Sequence, residues 1–336
     1  MTDAILAEGL TRRFGSTQAL DGLDLAVREG SVMSLLGPNG SGKTTTVRVL
    51  STLLRPDGGR AFVAGLDVLK DMVKLRRKIG LSGQYAAVDE DLTARENLRM
   101  VGKLYHLGTQ EATRRADELL ERFGLASEAD RQVKGYSGGM RRRVDLACAV
   151  IARPEVLFLD EPTTGLDIRS RQTLWDVIVE LVREGSTLLL TTQYLEEADK
   201  LSDRITVVDH GRIIAEGTPD QLKARVGSER LELTLASVED LHTARRLLDR
   251  LARGEVTLDE EERQLVVPVE DGPEALVTAI RTLDAEGVGP VGAGLRRPTL
   301  DEAFLVLTEG SAAPAAPEPA GAAGTPVATA GKESLR

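Results

Sequence analysis

The chain has 336 residues, 41% apolar and 29% charged, which predicts a globular protein of two domains. Its net charge of −10 argues against nucleic acid or an anionic bilayer as a broad electrostatic partner. No run approaches the roughly 20 apolar residues of a membrane-spanning helix, the N-terminus lacks a signal-peptide pattern, and a single cysteine, Cys148, excludes an internal disulfide framework.

The first predicted elements are three short strands within residues 4–36, with turns expected at Asp21-Gly22 and Glu29-Gly30. The segment that follows reads Gly37-Pro38-Asn39-Gly40-Ser41-Gly42-Lys43-Thr44. It fits the phosphate-loop pattern G-x-x-x-x-G-K-S/T, and it lies between a strand and apolar residues that recur at helical spacing.

This loop predicts the binding of ATP or GTP. Its glycines let the backbone curve around an anion, and N–H groups at the helix N-terminus point at phosphate oxygens. The Lys43 ammonium is expected to contact the β- and γ-phosphates, and the Thr44 hydroxyl is expected to hold Mg²⁺. Thr45, the next residue of the helix, is included in the predicted nucleotide contacts.

Helical patterning extends from about residue 90 to 152, and a second anion site is predicted inside it. Ser137, Gly138 and Gly139 precede a helix whose apolar residues form one stripe. A head-to-tail homodimer accounts for two phosphate-binding surfaces that serve one nucleotide each. In that dimer residues 137–139 cover the γ-phosphate held by the partner chain.

Val156–Asp160 is predicted as a buried strand that ends in a carboxylate. Asp160 emerges where it can orient Mg²⁺, and Glu161 is placed to polarise the water that attacks the γ-phosphate. Further strands are predicted at Thr187–Thr192, 205–208 and 212–215. Their alternation with helices indicates an α/β fold with a mostly parallel, helix-covered sheet.

A second unit is predicted from about Ser228, with the strand-helix-strand-strand-helix-strand order of a ferredoxin-like α+β domain. A final helix over residues 300–307 is capped by Thr299, and the Ala/Pro/Gly-rich segment after it is predicted to be disordered. The resulting domains are 1–225 for nucleotide binding, with a helical subdomain at about 88–152, then 228–309 as an accessory domain and 310–336 as a tail.

On these motifs the chain resembles the ATP-binding subunits of ABC transporters over residues 4 to about 225. The resemblance implies that Phe14 stacks on adenine, and that Gln84 senses Mg²⁺ and the attacking water while facing the membrane subunit. It also implies that the loop at residues 164–167 links two sites across a dimer. Gln193 stands where most members carry a switch histidine, and its amide can bind the γ-phosphate but cannot take up a proton.

Three segments, 83–90, 191–199 and 299–305, resemble the daunorubicin/doxorubicin-resistance exporter ATPases more narrowly. This resemblance implies an ATPase at the cytoplasmic face of the membrane, working with a separate integral-membrane permease to expel an anthracycline-like drug. ATP and Mg²⁺ are the expected cofactors, and Glu161, Gln193 and Lys43 the expected catalytic residues.

Several alternatives remain open from the sequence. The substrate could be a lipid or another natural product, or the chain could be a soluble ABC ATPase without a transport role, although the acidic charge disfavours nucleic acid. A phosphotransferase that uses the phosphate loop alone would leave residues 137–139 and 164–167 without a purpose. The second unit could bind the drug, or its apolar residues could form the core of that unit.

Overall fold

The computed structural model describes residues 2–84, 87–225 and 229–309, and it combines three β-sheets with helices. The α/β class predicted from the sequence is confirmed. Three predictions lie outside the described residues, namely the disordered tail, the start of the second unit at Ser228, and the middle of the 83–90 motif at Tyr85 and Ala86.

An antiparallel sheet contains most of the first strands. The elements of this region are β1 (Asp3–Phe14), β2 (Thr17–Arg28), β3 (Val32–Leu36), α1 (Lys43–Leu50), β4 (Gly58–Val63) and β5 (Leu66–Asp67). The strand order is β2-β1-β4-β5, whereas β3 belongs to the next sheet. The turn predicted at Asp21-Gly22 is wrong, because β2 continues through both residues. Gly22, with a φ of 73°, lies where the β1–β2 register shifts, so it forms a bulge instead of a turn.

The central sheet has six strands, and helices alternate with its strands along the chain. Its further elements are α2 (Met72–Leu75), β6 (Ile79–Ser82), α3 (Ala94–Leu104), α4 (Thr109–Arg122), α5 (Gly138–Val150), β7 (Val156–Asp160), α6 (Ile168–Arg183), β8 (Thr187–Thr192), α7 (Leu195–Leu201), β9 (Arg204–Asp209), β10 (Arg212–Gly217) and α8 (Pro219–Ala224). The order is β10-β9-β3-β8-β7-β6, with only the β9–β10 pair antiparallel. The carboxyl ends of β3, β6, β7 and β8 therefore meet at one edge.

Two apolar cores hold this part of the chain together. One lies between the antiparallel sheet and the central sheet and includes Ile5, Leu10, Met33 and Phe158, all almost fully buried. The other joins α3, α4 and α5 to α6, and includes Phe123. Burial of a side chain of this size stabilises the fold by about 1.5–3 kcal/mol, so the helical region from 94 to 150 is anchored to the sheet by packing.

The C-terminal region contains a four-stranded antiparallel sheet. Its elements are β11 (Glu229–Leu235), α9 (Val238–Leu248), β12 (Thr257–Asp259), β13 (Gln264–Val269), α10 (Gly272–Ala285), β14 (Pro290–Arg296) and α11 (Leu300–Glu309). The strand order is β12-β13-β11-β14, and the chain order up to β14 is strand-helix-strand-strand-helix-strand. Alternate residues of β11, Leu231, Leu233 and Leu235, are fully buried in a core of its own.

The apolar side of the last helix, α11, packs on α7 and α8, whereas its Glu302 pairs with Arg230 and Arg296 of the C-terminal sheet. Its buried residues Leu300 and Ala303 share a cluster with Ala198 of α7 and Leu222 of α8. The predicted cap is present, since the Glu302 amide donates to Thr299 Oγ1 at 3.3 Å and the Glu302 carboxylate accepts from the Thr299 amide at 3.1 Å. The C-terminal region is thereby attached to the helix that follows Gln193.

Candidate nucleotide-binding site

The loop at residues 37–44 joins β3 to α1, and its glycines are required by close contacts. A Cβ atom on Gly37 would lie 2.2 Å from the Val208 carbonyl oxygen, and one on Gly42 would lie 2.6 Å from the Ala19 carbonyl oxygen. Gly40 and Gly42 also have φ values of 82° and 111°, which only glycine adopts readily. The backbone can therefore curve tightly above the N-terminus of α1.

Lys43 is buried inside this loop. Its Nζ donates to the carbonyl oxygens of Gly37 at 2.8 Å and Pro38 at 2.9 Å. Burial lowers the pKa of the ammonium, and the nearby carboxylates of Glu161 and Asp160 oppose that shift. A phosphate group in the loop would supply the same kind of negative partner, so the position suits a cation that binds an anion.

Asp160 ends β7 next to the loop and contacts two threonines. Its Oδ1 accepts from Thr44 Oγ1 at 3.0 Å and from Thr191 Oγ1 at 2.5 Å. The carboxylate is buried, and the Thr44 hydroxyl is half-buried. Oxygen donors of this kind fit Mg²⁺, which is bound through one or two protein ligands together with phosphate and water.

Glu161 follows immediately in a left-handed backbone conformation, with φ of 49°. Its amide donates to the carbonyl oxygen of Thr191 at 3.1 Å, and its carboxylate accepts from Thr164 Oγ1 at 3.2 Å. A non-glycine residue in this conformation costs about 1–3 kcal/mol and persists only where its neighbours hold it. The carboxylate is therefore presented in a fixed direction beside the loop.

Gln84 and Gln193 also follow strands of the central sheet, β6 and β8. Both strands pair directly with β7, which carries Asp160, so both glutamines lie at the same edge as the loop. The side chains of Gln84 and Gln193 are exposed. The structure thus brings together the loop, the two carboxylates and both amides that the sequence predicts.

Phe14 lies at the end of β1, and its side chain is 43% exposed. The guanidinium carbon of Arg12 stands 4.9 Å from the centre of its ring, a cation–π contact that covers one face. The adjoining strand β2 approaches the loop through Ala19, whose carbonyl faces Gly42. The β1–β2 hairpin therefore carries a partly covered aromatic ring, and its second strand adjoins the loop.

Ser137, Gly138 and Gly139 begin α5 elsewhere on the surface. Ser137 Oγ caps the helix by accepting from the Met140 amide at 3.3 Å. Among the described residues, no hydrogen bond joins 137–139 to the loop at 37–45. A Cβ on Gly139 would lie 2.9 Å from Ser170 Oγ, so this helix start adjoins the first turn of α6.

Comparisons with known proteins assign the family. The ABC transporter family pattern matches residues 20–164. Over 305 residues the chain is 57% identical to the daunorubicin resistance ATP-binding protein DrrA2 of Streptomyces coeruleorubidus, covering 91% of this chain and 95% of that protein. It is 48% identical over 307 residues to the daunorubicin/doxorubicin resistance ATP-binding protein DrrA of Streptomyces peucetius, covering 91% and 93%. This chain belongs to the ABC transporter ATP-binding proteins.

A solved structure supports the same assignment. A dimeric bacterial ABC transporter cassette matches with a TM-score of 0.60 and 27% identity, covering 64% of this chain and 98% of that one. The resemblance predicted from the motifs, including the narrower one to daunorubicin/doxorubicin resistance proteins, is confirmed. As an ABC transporter ATP-binding subunit, the chain binds and hydrolyses ATP and works with a membrane permease. No helix in the described part of the chain is long and apolar enough to cross a membrane.

Several residues near this ATP site were missed by the sequence analysis. Arg142 and Asp145, both buried on α5, contact the segments around Gln84 and Glu161. Opposite charges three residues apart on a helix can pair, and this spacing is a signal that could have found them. Thr191 and the buried Glu197 gave no comparable signal, because a threonine in a strand and a glutamate in a helix are common.

Proposed function

We propose that this ABC ATPase subunit powers the efflux of a hydrophobic, anthracycline-like drug through a separate permease. The observation that carries the proposal is the convergence at one sheet edge of buried Lys43, the 3.0 Å contact between Thr44 and Asp160, and Glu161. The named activity of the relatives in daunorubicin resistance supports the substrate class.

In this proposal the loop residues 37–45 hold the ATP phosphates and Phe14 stacks on the adenine ring. Lys43 neutralises charge on the β- and γ-phosphates, and Glu161 acts as general base towards the attacking water. Gln193 positions the γ-phosphate through its amide. The exposed Gln193 side chain and the fixed direction of the Glu161 carboxylate support these different roles.

Thr44 and Asp160 would hold Mg²⁺, with Gln84 as a further ligand. When bound, the ion would supply positive charge that offsets the negative charge developing during phosphoryl transfer. The donor set supports this assignment, because the hydroxyl and the carboxylate already lie within hydrogen-bond distance of each other. Asp160 is also kept in place by Thr191.

Two copies of the chain would form a head-to-tail dimer with ATP at the interface. Residues 137–139 of one copy would cover the γ-phosphate held by the other, and the loop at 164–167 would join the two sites. Gly138 is exposed, and Ile168 is 85% exposed. Ile168 lies close to Ser170, which adjoins Gly139, so these exposed residues support a contact surface here. The dimeric cassette among the similar structures has the same family fold.

The permease would dock beside the segment that carries Gln84, placing the subunit at the cytoplasmic face of the membrane. A groove of about 420 Å³ is lined by Ile79 and Leu81 of β6 and by Leu53, Val73 and Leu104. The last three are 56%, 69% and 71% exposed, which is unusual for apolar side chains gathered in one concave surface.

In this proposal residues 1–225 form the ATPase cassette, with its helical subdomain at about 88–152, and residues 228–309 form an accessory domain.

The experiment that tests the function uses Glu161→Gln. The variant is expected to bind ATP with unchanged affinity and to lose turnover by about 10²–10⁴-fold, because the amide cannot accept the proton of the attacking water. Purified protein gives the ATPase rate. Cells that express the chain with its permease give daunorubicin accumulation, which should rise to the level of cells without the pair.

Glu155→Gln is the matched control, since Glu155 directly precedes β7, at the end opposite Asp160, and its side chain is 57% exposed. It should leave both measurements unchanged. Near-normal hydrolysis by Glu161→Gln would reassign the general base. Wild-type and Glu161→Gln cells could accumulate equal daunorubicin and differ only in export of a lipid or another natural product. That result would show that this other compound, and not the drug, is the substrate.

A further inference from the structure

We propose that Arg142 and Asp145 are a positioning pair that joins the loop carrying Glu161 to the loop carrying Gln84. The pair lies in the second turn of α5, outside the set of residues that touch ATP in the proposed site. Its role rests on the proposed function, in which Glu161 is the general base.

Arg142 holds the backbone on both sides of Glu161. Its Nη2 donates to the carbonyl oxygen of Asp160 at 3.0 Å, and its Nε donates to the carbonyl oxygen of Pro162 at 2.9 Å. The guanidinium is only 7% exposed, so water does not compete for these bonds. Because Glu161 has a left-handed backbone, this planar fork is well placed to keep its carboxylate pointing in one direction.

The same guanidinium reaches the second loop. Its Nη1 donates to the carbonyl oxygen of Gly83, the residue before Gln84. One side chain therefore contacts three carbonyl groups from two loops that are distant in the sequence. A lysine, with a compact ammonium, cannot reproduce that arrangement.

Asp145 holds the other side of the Gln84 loop. Its Oδ1 accepts from the Ala87 amide at 2.7 Å, and its Oδ2 accepts from Ser82 Oγ at 2.5 Å. Ser82 and Ala87 flank Gln84 in the sequence. Asp145 Oδ2 also lies 3.5 Å from Arg142 Nη1, so the two charges compensate each other in a buried site.

A buried ion pair is a weak source of stability, because desolvation offsets most of the attraction between the charges. Here nearly every contact of the pair goes to the two loops instead. The helix that bears it also begins with residues 137–139, the surface proposed to meet the partner chain's ATP. Arg142 and Asp145 thus make α5, the Gln84 loop and the Glu161 backbone move as one body.

Arg142→Lys tests this role. The variant keeps the positive charge and loses the fork, so we expect kcat to fall about 10- to 100-fold while the Kd for ATP stays unchanged. The split between kcat and ATP affinity separates positioning from a general loss of structure. ATPase rates and equilibrium binding of ATP are measured on the full chain, with the melting temperature recorded for each variant.

Arg115→Lys is the matched control. Arg115 is equally buried, at 6% exposed, and its guanidinium also contacts α5, through the carbonyl oxygens of Val150 and Ile151 at the far end of the helix. It should leave kcat unchanged even if the melting temperature falls. Equal losses of kcat in the two lysine variants would overturn the proposal.

A double-mutant cycle with Glu161→Gln identifies the route. If Arg142 acts through Glu161, Arg142→Lys should slow the Glu161→Gln protein little further, whereas fully multiplied losses would overturn this route. Normal turnover of Glu161→Gln alone would overturn the general base itself and with it this role of Arg142. Asp145→Asn keeps the shape of the side chain and is the variant to measure if Arg142→Lys does not fold. An undiminished kcat of Asp145→Asn would overturn the positioning role assigned to Asp145.

Discussion

At the residue scale, Glu161 and Gln193 follow neighbouring strands, yet their surroundings differ. The Glu161 backbone is bonded to Thr191, and its carboxylate accepts from Thr164. The Gln193 side chain is exposed, and within the described residues its amide makes no hydrogen bond. Hydrogen bonds therefore hold the proposed base in place, whereas none of those among the described residues holds the Gln193 side chain.

Gln193→His is expected to remain active at pH 7–8. The exposed position accepts an imidazole without repacking, and the neutral ring can hydrogen-bond the γ-phosphate as the amide does. The variant should also gain a titration step in its ATPase rate near pH 6.5, the ordinary pKa of histidine, which the wild type lacks. ATPase rates measured from pH 5.5 to 8.5 check both points, and a dead enzyme across this range would mean that the site requires the amide.

At the element scale, α7 is fastened to α6 by a buried polar contact. Trp175 Nε1 donates to Glu197 Oε1 at 3.0 Å, and the Glu197 side chain is fully buried. The Lys200 ammonium lies 4.7 Å from the centre of the Trp175 ring. Burial raises the pKa of the Glu197 carboxyl, because the charged form loses its hydration. Since α7 follows Gln193 and also packs on α11, the Trp175–Glu197 contact links α6 to the helix on which α11 is packed.

Glu197→Gln is expected to change how stability depends on pH. A folded-state pKa raised above the unfolded value of about 4.3 contributes stability that is full below pH 4 and lost as pH rises through the folded pKa. The amide does not titrate, and it keeps an acceptor for Trp175. The melting temperature of the variant minus that of the wild type should therefore increase from pH 5 to pH 8. Glu196→Gln, at an exposed neighbour, should show no such trend, and a constant difference for Glu197→Gln would contradict the linkage.

At the scale of the whole molecule, the proposed function requires a second chain to complete the ATP site. Gly138 illustrates why one chain does not use this surface itself, since a Cβ built there meets no atom within 4 Å. The space above it is open, and among the described residues no hydrogen bond joins residues 137–139 to the loop at 37–45. A partner's triphosphate would occupy that space in the dimer.

Gly138→Asp is expected to leave the monomer intact and to prevent ATP-dependent dimerisation. A carboxylate at the start of α5 suits the helix dipole, but it repels the γ-phosphate of a partner. Light scattering with ATP in a Glu161→Gln background should show dimers for the parent and monomers for the variant. Gly108→Asp, at the similarly open start of α4, is the matched control and should still dimerise. Undiminished dimerisation of Gly138→Asp would contradict the head-to-tail arrangement.

Most predictions that depended on local sequence were accurate. The loop between a strand and a helix, the strand that ends in Asp160 and the helix cap at Thr299 each involve residues close together in the chain. The turn at Asp21-Gly22 failed because a glycine with positive φ serves a bulge as well as a turn, and the strand opposite decides between them. The antiparallel sheet beside the central one was missed for a related reason, since pairing partners are not local.

By itself, the sequence determined the family, the α/β class and the loop and carboxylates that meet at one edge of the central sheet, because these depend on backbone requirements of short segments. Only the tertiary structure decided which side chains hold those segments in place. Thr44 meets Asp160 across 116 positions and Ser82 meets Asp145 across 63. Such contacts arise when the sheet closes and buries polar groups that must then find partners, and nothing in the local pattern of either residue specifies the other.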